Sequence, residues 1–166
     1  LLMILNVGVG YVGAVLASAE LVAGMRKPTV ALDLGGGHSL GLPLAVAAKL
    51  SFVAPAASMT IHPVRMSGLM LGVPETLGYF QRMQDRITNF VTANSGMSDE
   101  RGMQLAMNTQ DLGMDVGTGL DGDEAVAEGL MDTLGSLHDA MDCLDKMIAA
   151  EKNKQRAKPR KGKKSL

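Results

Sequence analysis

Lys27-Pro28-Thr29-Val30-Ala31-Leu32-Asp33-Leu34-Gly35-Gly36-Gly37-His38-Ser39-Leu40-Gly41 is the stretch on which the fold turns. Pro28 closes off what precedes it, and Thr29–Leu34 is apolar and β-branched enough to read as a strand. The three glycines are expected to break that strand. Leu40–Leu50 reads as a buried helix, with Pro43 in the first turn, where proline is tolerated. Ser39 therefore falls between a strand end and a helix start. Gly37-His38-Ser39-Leu40-Gly41 is a literal G-x-S-x-G, a pattern that presents a serine hydroxyl on a sharp strand-to-helix turn.

Upstream, Leu1–Val7 reads as a buried strand, Gly8–Gly13 as a glycine-rich turn, and Ala14–Met25 as a helix with small residues on one side. Downstream, Ser51–Val53 and Ser58–Ile61 read as short strands with Pro55 in the turn between them. After a loop holding Gly68, Gly72 and Pro74, residues 75–93 carry Leu77, Phe80, Met83, Ile87, Phe90 and Val91 at helical spacing. Ser98 is a natural cap for the next helix. Glycine-rich turns fill residues 113–122, followed by a short helix over Asp123–Leu130 and an amphipathic one over Leu137–Glu151. Strands alternating with helices predict an α/β fold with parallel pairing.

Composition bounds the function classes. The chain has 166 residues, and 46% hydrophobic content excludes a wholly disordered chain. Aromatics are 3% with no Trp, which argues against a stacking platform for single-stranded nucleic acid. The single cysteine, Cys143, excludes an intrachain disulfide framework and a multi-cysteine metal site. No metal and no cofactor is expected. The opening LLMILNV lacks the flanks of a secretory signal. The longest apolar helical stretch, Tyr11–Met25, is broken by Glu20 and is too short to span a bilayer. The formal charge of −1 hides an asymmetry. Residues 1–150 hold 8 Lys and Arg against 16 Asp and Glu, a net −8, whereas 151–166 hold 8 against one, a net +7. Such a like-charge block is expected to be disordered.

Two further motif readings compete. Gly8-Val9-Gly10-Tyr11-Val12-Gly13 is a literal G-x-G-x-x-G after a strand, with Asp33 placed 20 residues on to reach a ribose, as in dinucleotide binding. A hydrolase order of Ser39, then Asp111 or Asp115, then His138 is also available.

Taken together, the motifs resemble those of Clp-type serine peptidases. Asn6-Val7-Gly8-Val9-Gly10-Tyr11-Val12 resembles that family's N-S-P-G-G-x-V turn. Gly36–Gly41 stands where the family places its serine, and Met59-Thr60-Ile61-His62-Pro63 resembles its histidine strand. Asp123-Glu124-Ala125 followed by Glu128-Gly129-Leu130-Met131-Asp132 resembles its closing segment. The wording GGGHSLGLPLAVAA and MTIHPVRMSGLMLGVPET is closest to the translocation-enhancing, TepA-like branch. The likeness runs from about Asn6 to Leu134.

The resemblance implies a Clp/crotonase-like α/β fold, a ββα superhelix with a parallel sheet and a protruding long helix. It implies a serine endopeptidase subunit working through an acyl-enzyme. Ser39 would be the nucleophile and His62 the base, with oxyanion donors from the Gly10 and Leu40 backbone. Counting back from Asp123-Glu124-Ala125 puts the family's third triad position near Gly117, so the nearby Asp115 is the expected partner and Asp111 the second choice. Expected partners are a polypeptide substrate, further copies of the chain in a ring, and a separate ATPase unfoldase. No nucleic acid partner is predicted, and the location expected is cytoplasmic. Val7, Gly8 and Val9 depart from the family turn, and the family carries strands before it, so the fold reads as N-terminally incomplete. An inactive scaffold on the same fold is the alternative. The expected organisation is a peptidase domain over 1–150 and a basic tail over 151–166.

Overall fold

The computed structural model describes residues 1–8, 10–65, 69, 72–110 and 116–157. β1 (Leu2–Val7) leads through the glycine turn to α1 (Val12–Ala23), and β2 (Val30–His38) leads through Ser39 to α2 (Gly41–Val46). β3 (Leu50–Val53) and β4 (Ser58–Ile61) follow, then α3 (Pro74–Ala93) and α4 (Asp99–Ala106). β5 (Thr118–Asp121), α5 (Gly122–Ala127), β6 (Thr133–Leu134) and α6 (Leu137–Ala157) complete the order.

β2 is the centre of the sheet. It pairs in parallel with β1 along one edge. On the other edge it pairs with β3 over Val30–Asp33 and then with β4 over Gly36–His38. β6 extends the sheet in parallel beyond β3. The expected parallel pairing holds for these strands, but β5 runs antiparallel to β4.

Alternation along β2 sorts its side chains between two layers. Val30 and Leu32 point toward α6, where they pack with Phe52, Ala140 and the partly buried Leu144 and Met147. Ala31 points the other way, into the larger cluster with Leu16, Ala19 and Val22 of α1 and Leu42, Ala45 and Val46 of α2. Small residues on α1 allow it to approach α2 closely. Each fully buried Leu or Val here contributes about 1.5–3 kcal/mol.

Several expectations are corrected. The three glycines do not break β2, because the β4 ladder at Gly36↔Ser58 and Gly37↔Met59 supplies their backbone partners. They also leave no room for side chains. A Cβ on Gly37 would collide with the Asp33 carboxylate and lie 2.7 Å from Met59 Cε. The helix expected over Leu40–Leu50 is only six residues, since Leu50 already starts β3. The glycine-rich stretch ends in a strand, β5. The basic segment is not disordered from its first residue: Glu151–Ala157 continue α6, with Gln155 Nε2 donating to Glu151 Oε1 at 2.9 Å.

Ser98 caps α4 as expected, its hydroxyl accepting from the Arg101 amide at 3.2 Å. The closing motif has a structural task. Asp132 Oδ2 accepts from both the amide and the hydroxyl of buried Ser51 at 2.7 Å, which anchors β3 to the chain 81 residues later. Among the described residues no helix is long and apolar enough to cross a membrane.

Candidate active site

Ser39 has φ 55°, and it is the only non-glycine among the described residues with positive φ. An L-residue held there costs about 1–2 kcal/mol, so the surroundings must hold the turn in place. They do so through Thr60. The Ser39 amide donates to the Thr60 carbonyl at 2.9 Å, and His38 Nδ1 meets the Thr60 hydroxyl at 2.8 Å. The Leu42 amide donates back to the Ser39 carbonyl at 3.2 Å. β4 thus serves as a ruler: Thr60 grips the serine turn, and two residues later the same chain delivers His62.

His62 is half-buried, and its Nδ1 lies 2.7 Å from the Pro63 carbonyl. A carbonyl only accepts, so Nδ1 carries the proton, and a neutral ring presents Nε2 as an acceptor. That is the tautomer a general base needs. Ser39 and His62 line one cavity of about 310 Å³, together with Gly10, Leu40, Ile87 and Val91. Ser39 Oγ and the His62 ring are not hydrogen-bonded to one another. Such contacts commonly tighten only when substrate fills the site.

Gly10 and Leu40 meet at the same cavity. A Cβ on Gly10 would stand 3.4 Å from Leu40 Cδ1. Asp115 and Asp111 lie outside the described residues. The next residue, Val116, is bound through its carbonyl by Arg65 Nη2 at 2.7 Å, which ties it to the strand end that carries His62.

Two alternatives lose their geometry. Asp33, expected to reach a ribose, is fully buried. His138 lies on α6 with its side chain 83% exposed and its Nε2 3.6 Å from Asp142, so it faces solvent rather than Ser39.

Sequence reasoning missed three supporting residues. Thr60 is the first. Gln84 is the second: its Oε1 accepts from the Val64 amide at 2.7 Å, which pins the segment after His62 to α3. A polar residue amid the apolar positions of α3 was the available signal. Asp33 is the third. By strand alternation it faces the same layer as Ala31. Neither carboxylate oxygen has a hydrogen-bond partner among the described residues. Burial pushes its carboxyl up to about 6, and the Gly35 amide, the His38 ring and the Gly36 amide offset only part of that. Those amides stand near enough to favour the charge but outside bonding geometry.

Comparison with known proteins agrees with the fold and the family resemblance. The family model described as Clp protease matches residues 1–137. Translocation-enhancing protein TepA of Halalkalibacterium halodurans is 51% identical over 148 residues, which cover 89% of this chain and 58% of that protein. The chain therefore spans less than two thirds of that relative. Among solved structures, a ClpP1 mutant from Listeria monocytogenes superposes with a TM-score of 0.69. It is 18% identical, with 84% of this chain and 75% of that one covered, a likeness of fold. With the family model matched over 137 of its 166 residues, the chain belongs to the Clp protease family.

Proposed function

We propose that the chain is the catalytic body of a serine peptidase that cleaves peptide bonds through an acyl-enzyme on Ser39. The observation that carries this reading is the pairing of a left-handed serine turn with a Nδ1-protonated histidine on one cavity wall. Ser39 Oγ attacks the scissile carbonyl carbon while His62 Nε2 takes the hydroxyl proton. The negative oxygen that forms is received by the amides of Gly10 and Leu40. His62 then gives its proton to the leaving amine, and the C–N bond breaks. Water, deprotonated by the same nitrogen, hydrolyses the ester and frees Ser39. Asp115 is assigned to orient and stabilise the imidazolium, with Asp111 as the alternative. In the described structure the Pro63 carbonyl accepts the hydrogen bond from Nδ1–H.

A fluorophosphonate probe tests the reading. Labelling of the native chain that vanishes in Ser39→Ala supports it, and labelling that persists in that variant refutes it. A non-catalytic scaffold is the second reading. It is favoured by the Nδ1 bond to the residue's own neighbour and by the altered Val7-Gly8-Val9 turn. It predicts assembly with no peptide turnover.

Residues 1–150 would form the peptidase domain and 151–166 a basic tail. Assembly into a ring, fed by a separate ATPase unfoldase in the cytoplasm, follows from the family. It fits the exposed Leu77 and Tyr79 on α3 and the exposed Tyr11 and Leu21 beside the glycine turn and on α1. Sedimentation at several concentrations measures that assembly.

A further inference from the structure

Beside the Ser39 cavity lies a second one of about 530 Å³, and the two share Gly10, Val12, Val64 and Arg65 as common wall. A chain lying across Gly10 toward Ser39 would run from one into the other. The second cavity is set apart by its charge. Arg65, Arg82 and Arg86 line it, and no Asp or Glu among the described residues does. This happens in a body where residues 1–150 carry twice as many acidic as basic side chains. Three of the eight cations of that body converge on one wall.

α3 explains the convergence. Arg82 and Arg86 are one helical turn apart, so both project from the same face. A like-charge pair at this spacing is mildly destabilising on its own. Neither arginine makes an ion pair among the described residues. Arg82 Nη1 turns back along the helix, 3.3 Å from where a Cβ on Gly78 would stand. Asp85 is on α3 but does not line the cavity, and Glu20 shares only the next cavity along with Arg86. Phe80 and Met83 add apolar lining to the same cavity.

We infer that Arg82 and Arg86 are specificity-determining residues that select polypeptide substrates bearing an acidic side chain on one side of the scissile bond. This rests on the peptidase reading above and names its substrate class. A carboxylate entering the cavity would meet two cations that make no ion pair among the described residues, beside apolar lining, a site where a Glu stem packs and its head is bound. A lysine in the same place would be repelled.

The test uses internally quenched peptides identical except for Glu, Gln or Lys, with that residue scanned through the positions flanking the cleaved bond. At low ionic strength the Glu peptide is expected to exceed the Gln peptide in kcat/KM by about fivefold at one position, with the advantage shrinking as salt is added. In R82E/R86E the order of the Glu and Lys peptides should invert. Because the ratio is read within one variant, partial misfolding does not disturb it. Anisotropy with Ser39→Ala measures the same preference as binding, without turnover. Turnover without charge preference in either assay overturns the inference and leaves the peptidase reading standing. Absence of turnover and labelling, with the Glu preference still seen in binding, removes the peptidase reading alone. A single-stranded oligonucleotide that displaces the Glu peptide more effectively than unlabelled peptide does would overturn it in favour of a general polyanion groove.

Discussion

Replacing Asp33 by asparagine should make the protein's stability less dependent on pH. In the folded chain the carboxyl is raised from its ordinary 3.8 to about 6, with burial the leading cause. Below about pH 4 the side chain is neutral in both folded and unfolded states and contributes no difference. Between about pH 4 and 6 the folded state holds the proton that the unfolded state has released, so stability falls as pH rises. Above about pH 6 both states are ionised and the whole penalty is present. The full shift corresponds to about 3 kcal/mol. Relaxation of the surroundings around the ionised group reduces the expected effect to about 2 kcal/mol. Asparagine has nearly the same shape and no charge to desolvate. Urea unfolding of both proteins at about pH 4 and about pH 8 gives two stability differences. The Asp33→Asn variant should gain about 2 kcal/mol on the native chain between those conditions. Parallel pH profiles for the two proteins would refute the account of Asp33 as a buried, unsatisfied carboxylate.

Other perturbations follow from the same contacts. Ser39→Gly should abolish fluorophosphonate labelling yet raise the unfolding free energy by about 0.5–1 kcal/mol, because glycine adopts positive φ without strain. His62→Ala should slow labelling by about 10²- to 10⁴-fold in a stopped-time assay, the usual contribution of a positioned base. Gly37→Ala forces a methyl against Asp33 and Met59, and should cost about 2–3 kcal/mol in urea denaturation. Asp132→Ala strips the acceptor from the amide and hydroxyl of buried Ser51, lowering stability by about 2 kcal/mol by the same measurement.

Much of the fold was legible because it is local. Apolar runs bounded by glycine and proline marked β1, β3 and β4. The spacing of Leu77 through Val91 marked α3, and Ser98 marked the start of α4. What could not be read is what distant pairing decides. Gly35–Gly37 have poor intrinsic strand preference, and pairing with β4 at Gly36 and Gly37 and with β1 at Gly37 keeps the segment in β2. β5 is four residues long and exists because β4 offers it an antiparallel edge. The serine and histidine were legible as a pair through ordered motifs, since the distance between them along the chain accommodates a helix and the two strands β3 and β4. Asp33 was not. Its spacing of 20 residues from Gly13 reads as a ribose ligand, and its complete burial follows from packing beneath Gly37. Nor did the sequence reveal that Arg82 and Arg86 line the cavity next to that of Ser39, because that depends on how α3 lies against the segment that follows His62.

The strand that presents the nucleophile has no freedom to vary: at Gly37 even a methyl is barred by the carboxylate and thioether beneath it. The opposite wall is α3, whose exposed positions such as Arg82 and Arg86 can be exchanged at little cost to the sheet, unlike its buried Phe90 and Val91. Such a division lets lineages retune what enters the groove by drift on the outer wall alone, while the reacting serine stays where it is. Engineering toward new sequences would have the same opening, and the same closed door.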